Sequence, residues 1–273
     1  MTGRRVVRRT VASLRDGVWQ PRPDYLAAEE PIEVRVGGEA VAVLMRTPGN
    51  DFELALGFCL SEGIVAQPDD VAAIRYCAGK DPETGLQTYN VVDVQTRRGA
   101  RVADGLGRNL STTASRGLCG SAGIEAVRKR LDGVDGDPVS LLAAVLTGLP
   151  ERLRDARAVF ERTGGLHAAG LFTAGGTLVC AREDVGRHNT VDKVLGWAAT
   201  EGMLPLWGHV LVVSGRVAFE VAQKALAAGI PILAAVSAPS SLAVELAEEA
   251  GMTLVGFLRG SSFTVYAGRR RIT

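Results

Sequence analysis

No stretch of the 273 residues approaches the roughly 18 consecutive apolar residues that a membrane-spanning helix needs. Nothing in the chain therefore calls for a membrane. Charge of one sign is also missing: 31 Lys and Arg stand against 30 Asp and Glu. There is thus no general pull toward nucleic acid, and any anionic partner must be held by a local site. Cysteine is scarce, with Cys59, Cys77, Cys119 and Cys180 spread along the chain and no C-x-x-C pair, so neither a disulfide framework nor structural zinc is expected. No Walker A loop and no G-x-G-x-x-G fingerprint occur, which removes support for ordinary kinases, ATPases and Rossmann dehydrogenases. The H-x-E and P-C-x-x-C elements of a zinc deaminase are absent as well.

What is present is an ordinary globular composition, 47% hydrophobic and 22% charged, long enough for two domains. The opening MTGRRVVRRTVASLRDG has arginine pairs, but no apolar segment follows them as an export signal would require. It is read as a solvated arm of a cytoplasmic protein.

Residues 32–46 alternate around Gly37-Gly38, the signal of a β-hairpin. A helix is expected from about Asp51 to Glu62, with Phe52, Leu56 and Cys59 on one face and Gly63 as its stop. AAIRYC and LQTYNVVDVQ read as strands. Strand pair, helix and further strands make a small α+β, β-grasp-like layer. Residues 95–123 read as a loop and Ile124–Leu131 as a short helix. DGVDGDP reads as a linker, so the chain divides into 1–136 and 137–273.

The second part alternates. VSLLAAVLTGLPERL reads as a helix, AVFERT and LHAAGLFTA as strands, and LVCARE as a strand before a helix from His188 to Ala199. LVVSG, a helix over Val217–Ala228, ILAAVS, a helix over Ser241–Ala250 and LVGFLRG continue the series. This predicts an α/β sandwich on a largely parallel or mixed sheet.

In such sheets, ligands bind beyond the carboxyl ends of strands, near helix N-termini. Four junctions carry suitable residues: Arg182, Glu183, Asp184, Arg187 and His188; Ser214, Gly215 and Arg216; Ser237, Ser240 and Ser241; and Arg259, Gly260, Ser261 and Ser262. Each alone is explained by turn chemistry. Together they also suit a phosphorylated, nucleotide-like ligand. His209 reads as structural, His167 fits either core packing or ligand contact, and His188 either serves the site or pairs with Asp184. A Ser214–His188–Asp184 hydrolase is allowed by residue type, though no G-x-S-x-G elbow supports it.

Cys59 and Cys180 read as small buried hydrophobes, and Cys77 leans the same way. Cys119 differs, because GLCGSAG leaves its sulfur between Gly117 and Gly120, beside Arg116. That setting suits a reactive thiolate, although loop cysteines flanked by glycine can also be inert.

FELALGFCLSEGI, LCGSAG, TGGLHAAG, REDVGRHNTVDKVLG, VSGR and GFLRGSSFTVYAG occur in this order. The chain thereby resembles the formate dehydrogenase accessory sulfurtransferases, the FdhD family. The resemblance implies a cytoplasmic, homodimeric maturation factor for molybdenum or tungsten formate dehydrogenases. In this picture Cys119 accepts sulfur as a persulfide from a cysteine desulfurase. It then passes the sulfur to a bis-molybdopterin guanine dinucleotide cofactor carried as cargo, with no intrinsic metal. The larger domain is expected to be similar to the cytidine deaminase fold without its zinc. Phe257, Leu258, Arg259, Gly260, Ser261 and Ser262 resemble the family's cofactor-binding stretch, and Asp184, Arg187, His188, Ser214 and Arg216 are further candidates for the same cleft. Many relatives carry a second loop cysteine where this chain has Ala122, so transfer is expected to use one cysteine. A cofactor chaperone in which Cys119 is incidental is the alternative.

Overall fold

The computed structural model describes residues 5–77, 79, 89–97 and 131–273. Cys119, most of the loop expected over 95–123 and the helix expected from Ile124 lie outside the described residues.

The amino-terminal residues are not an irregular arm. Strands β1 (Val6–Arg15) and β2 (Val18–Ala27) pair antiparallel along their whole length. Asp16 and Gly17 close the ribbon at φ 50° and 80°, as a tight hairpin turn with positive φ at both central positions requires.

The hairpin expected at 32–46 is present as β3 (Glu30–Val36) and β4 (Glu39–Arg46). With β5 (Val71–Tyr76) and β6 (Val91–Thr96) they form a four-stranded sheet in the order β4-β3-β6-β5. Ile32, Val34, Leu44, Val92 and Val94 pack against Leu54, Ala55 and Phe58 of α1 (Asp51–Ser61). Helix α1 is buried on nearly every side, except at Phe52, which lies on the surface against Tyr76 with ring centroids 4.8 Å apart.

Residues 132–138 are pinned rather than free: Val134 is buried in the second layer, and Asp137 accepts the Gly208 N–H at 2.7 Å. Helix α2 (Ala143–Asp155) follows. AVFERT, expected as a strand, contains the short helix α3 (Phe160–Thr163). Glu183 accepts the Val159 and Phe160 N–H groups at 3.0 and 2.8 Å, which satisfies amide donors that the first turn of a helix leaves free.

Strands β7 (His167–Thr173), β8 (Leu178–Asp184), β9 (His209–Val213), β10 (Ile232–Ala235), β11 (Thr253–Arg259) and β12 (Ser262–Ala267) form a mixed sheet in the order β12-β11-β10-β9-β7-β8. Strands β9, β10 and β11 run parallel, and the remaining pairs are antiparallel. Successive β9 residues face opposite sides, so both faces must be apolar. Val210 and Val212 meet Leu146, Leu149 and Leu153 of α2. Leu211 and Val213 meet the layer of α4 (Arg187–Thr200), α5 (Phe219–Ala227) and α6 (Ser241–Glu249).

Strand β12 corrects the fourth expected junction. The FLRGSS segment does not lead into a helix; Gly260, at φ 52°, turns the chain back as an antiparallel hairpin. Helices α1 and α4 join the two layers. A Cβ on Gly57 would stand 1.8 Å from the Asp192 carbonyl oxygen, and one on Gly196 would stand 1.8 Å from that of Glu53. Only glycine permits this backbone approach.

Candidate functional site: a cationic cavity at the strand ends

The carboxyl ends of β9, β10 and β11 open into a cavity of about 320 Å³. Ser214, Val236, Arg259 and Gly260 line it from the sheet, and α2 with the residues after it supplies Thr147, Glu151, Arg154 and Arg157. Parallel strands end on one side of a sheet, so their following residues converge without needing proximity in sequence.

Ser214 is fixed by the backbone of the neighbouring strand. Its Oγ accepts the Ala168 N–H at 2.9 Å, and its own N–H donates to the Ala168 carbonyl at 2.9 Å. The hydroxyl proton remains for a ligand. Arg259 donates from Nε to the Val236 carbonyl at 2.9 Å, which holds its stem and leaves its terminal nitrogens for an anion. Arg157 donates from Nη2 to the Leu166 carbonyl at 2.7 Å and lies over the Phe160 ring, 3.5 Å from its centroid. Its Nε is buried and has no hydrogen-bond partner among the described residues. Burial lowers the Arg157 pKa from its ordinary value, and Glu183 partly opposes this.

His167 lies beside this cluster. A Cβ on Gly215 would come 3.3 Å from His167 Nδ1 and 3.7 Å from Arg187 Cβ, so glycine is what lets the three groups adjoin. Burial, then Arg187 and Arg157, pushes the His167 pKa down. The region is positively charged and half-desolvated, and it can hold an anion through one hydroxyl and several guanidinium groups.

Four residues expected from the sequence therefore line the cavity: Ser214, Leu258, Arg259 and Gly260. Leu258 does so from a fully buried side chain in the α2 core. Phe257 is exposed, with the Arg259 guanidinium 6.0 Å from its ring centroid. Ser261 and Ser262 are exposed on the β11–β12 turn, and Arg216 is exposed beyond β9. Arg187 reaches the cluster through its contact with the Gly215–His167 corner.

Asp184 and His188 do not line the cavity. Asp184 is fully buried between the layers and pairs with Lys193 at 2.6 Å. It also accepts N–H groups from Thr47, Gly186 and Asn189. His188 does not pair with it; His188 Nε2 is buried without a partner among the described residues, and burial, followed by Arg187 and Lys224, takes its pKa from 6.5 to about 4. With Asp184 committed to Lys193, the Ser214–His188–Asp184 hydrolase loses its carboxylate. Thr147, Arg154 and Arg157 were not singled out from the sequence. Only α2 and the residues that follow it, placed beside the strand ends, bring them in.

The two buried thiols behave as expected. Burial pushes the pKa of Cys59 and of Cys180 up to about 12, so neither is a thiolate at neutral pH.

The model of the FdhD/NarQ family matches residues 27–273, leaving nearly all of the β1–β2 ribbon ahead of the match. A Streptomyces coelicolor protein named Sulfur carrier protein FdhD is 57% identical over 273 residues, covering 99% of this chain and 96% of its own. A protein of the same name from Streptomyces avermitilis is 58% identical over 273 residues, with the same coverage. One from Mycobacterium tuberculosis is 53% identical over 257 residues, or 92% of this chain and 93% of its own. Among solved structures, a Desulfotalea psychrophila protein described as a "putative formate dehydrogenase accessory protein" superposes with a TM-score of 0.80 at 22% identity. That match spans 98% of this chain and 100% of the other, and it shows that the mixed α and β fold is shared.

Proposed function

The chain belongs to the FdhD/NarQ family, and from that premise we propose that it is a sulfur carrier in the maturation of a formate dehydrogenase. Cys119 takes sulfur from a cysteine desulfurase and passes it to the metal of a bis-molybdopterin guanine dinucleotide, held as cargo. The cationic cavity receives a phosphate-bearing guanine nucleotide end of that cargo. Ser214, Arg157 and Arg259 bind its oxygens, and Arg154 adds charge at the rim.

The convergence of Ser214 with three arginines beyond β9, β10 and β11 carries this reading, because a diphosphate is the ligand that such a donor set fits. The relatives named as sulfur carriers support the other half.

The Cys119 thiolate attacks the outer sulfur of the desulfurase persulfide; the old S–S bond breaks, and the desulfurase cysteine leaves as thiolate. Delivery of the outer sulfur as sulfide consumes two electrons, drawn from the cargo metal, and returns Cys119 to thiolate. The step needs one cysteine, in keeping with Ala122.

In the same reading the protein acts in the cytoplasm as a homodimer. Residues 1–136 form a β-grasp-like domain that carries the Cys119 loop, and 137–273 form a zinc-free relative of the cytidine deaminase fold.

Titration of the full chain with GDP, as a probe for one nucleotide end of the cargo, tests the cavity. Saturable binding that Arg157→Ala and Arg259→Ala weaken supports the reading. Binding unchanged in both variants would move the cargo elsewhere. Cys119→Ala then separates transfer from chaperoning: it should retain GDP binding and lose maturation of the client, whereas a chaperone would keep both.

A further inference from the structure

The β1–β2 ribbon has no role in the cavity and precedes the family match. A two-stranded ribbon by itself is marginal in water, yet this one carries exposed large apolar groups: Leu14 is 53% exposed, Trp19 68% and Tyr25 41%. Its base is held by Tyr25, whose ring lies 5.2 Å from the Arg162 guanidinium, and by the Arg5 carbonyl, which accepts the Ala28 N–H at 3.0 Å.

The two edges of the ribbon differ. Pro21 pairs with Ala12 and Pro23 with Thr10. Proline has no N–H, so both are non-hydrogen-bonded pairs, in which backbone polar groups point away from the partner strand. The outer edge of β2 therefore lacks donors at 21 and 23, a known way of blocking strand addition. By the same alternation, the outward N–H groups of β1 belong to Arg8, Thr10, Ala12 and Leu14, and all four are intact.

The two faces differ as well. Arg8, Thr10, Ala12 and Leu14 share a face with Trp19, Pro21, Pro23 and Tyr25, which is mostly apolar. Arg9, Arg15 and Arg22 share the other with Val7, Val11, Val18 and Leu26, so the faces differ in charge; there Asp24 offsets one arginine by pairing with Arg22 at 3.2 Å. Strand β1 contains three arginines and no acidic residue.

We propose that the edge of β1 with which no described strand pairs binds an extended segment of a partner protein, in which acidic and apolar residues alternate, as a third strand. Its acidic side chains face Arg9 and Arg15, and its apolar ones continue the Leu14–Trp19–Tyr25 face; the backbone bonds with Arg8, Thr10, Ala12 and Leu14. Charge decides against a second copy of β1 as the occupant, since that pairing sets six arginines side by side with no carboxylate between them.

The test is amide hydrogen exchange of the full chain with a synthetic peptide of alternating glutamate and valine. Binding should slow exchange at Arg8, Thr10, Ala12 and Leu14 and weaken as salt is added. Arg9→Glu with Arg15→Glu should reduce affinity about tenfold or more. Ala12→Pro, which removes one outward donor and no bond within the ribbon, should abolish the protection. Exchange of the amides along β2 that bond across to β1, unchanged in this variant without peptide, verifies that the ribbon still forms. Three results overturn the proposal. One is no protection of these amides. Another is equal protection by a peptide of the same composition with glutamates and valines in separate blocks. The third is concentration-dependent protection of the same amides without peptide, which would assign the edge to a second copy.

Discussion

The Asp184 carboxylate and the Lys193 ammonium stand 2.6 Å apart, and neither side chain is exposed to solvent. Lys193 also donates to the Thr47 carbonyl at 3.0 Å, and Asp184 accepts the Thr47 N–H at 3.1 Å. The pair thus ties the end of β4 to the β8–α4 turn, and it fixes one layer against the other. Burial is the largest influence on Lys193 and lowers its pKa, while Asp184 opposes that shift. Lys193→Met leaves the carboxylate uncompensated, and a loss of about 3–5 kcal/mol in unfolding free energy is expected from urea titration. Lys193→Met combined with Asp184→Asn should cost less than Lys193→Met alone, because no buried charge then remains and the amide oxygen still accepts the Gly186 and Asn189 N–H groups.

Where α1 crosses α4, Gly196→Ala should be as damaging as a charge deletion. The new Cβ would overlap the Glu53 carbonyl, which belongs to backbone and cannot swing aside. The helices must separate, at a cost of about 3 kcal/mol or more. The same substitution at Gly202, where an added Cβ meets nothing, carries only the strain of its positive φ. Thermal unfolding of the two variants side by side measures the difference.

His188 makes stability depend on pH. Its folded pKa of about 4 lies below the ordinary 6.5, so between these values the unfolded chain binds the extra proton. Stability from this group is complete above about pH 6.5 and is lost as pH falls toward 4, by about 3 kcal/mol in all. Arg187 and Lys224 face the ring and deepen the shift, while Glu220 and Glu62 oppose it. His188→Gln should flatten the unfolding free energy across that window relative to the unaltered chain. An identical pH profile in both would contradict the assignment.

In the cavity, Arg157→Ala removes a guanidinium whose Nε has no partner among the described residues. The affinity for GDP should fall about tenfold or more, measured by calorimetry. Guanosine, which lacks the phosphates, should bind weakly to both proteins. Equal losses for guanosine and GDP would show that Arg157 acts on the base or on the fold instead.

Much of this arrangement was legible in the chain because it rests on local chemistry. Gly37-Gly38 marked its hairpin, and the alternation of strands and helices marked the large sheet. Asp16-Gly17 is an equally good hairpin signal, but the arginine pairs around it read as a solvated arm. AVFERT reads as extended from its own residues. It becomes helical at Phe160–Thr163 because Glu183, on β8, caps it, and no window around residue 160 contains that carboxylate. The FLRGSS turn reads equally as a strand-to-helix junction, since glycine and serine serve both. Only Gly260 at φ 52° and the pairing of Arg259 with Ser262 distinguish them. Arg154 and Arg157 join the site by tertiary placement alone. Asp184 and His188 sat in a ligand-like motif, but burial assigned the first to a structural pair.

The most direct test is mass spectrometry of the Cys119 peptide after the protein is incubated with a cysteine desulfurase and cysteine. The peptide should gain the mass of one sulfur atom, reducing agent should remove it, and peptides containing Cys59 or Cys180 should stay unchanged. A Cys119 peptide of unaltered mass, alongside full maturation of the dehydrogenase by Cys119→Ala, would contradict the account.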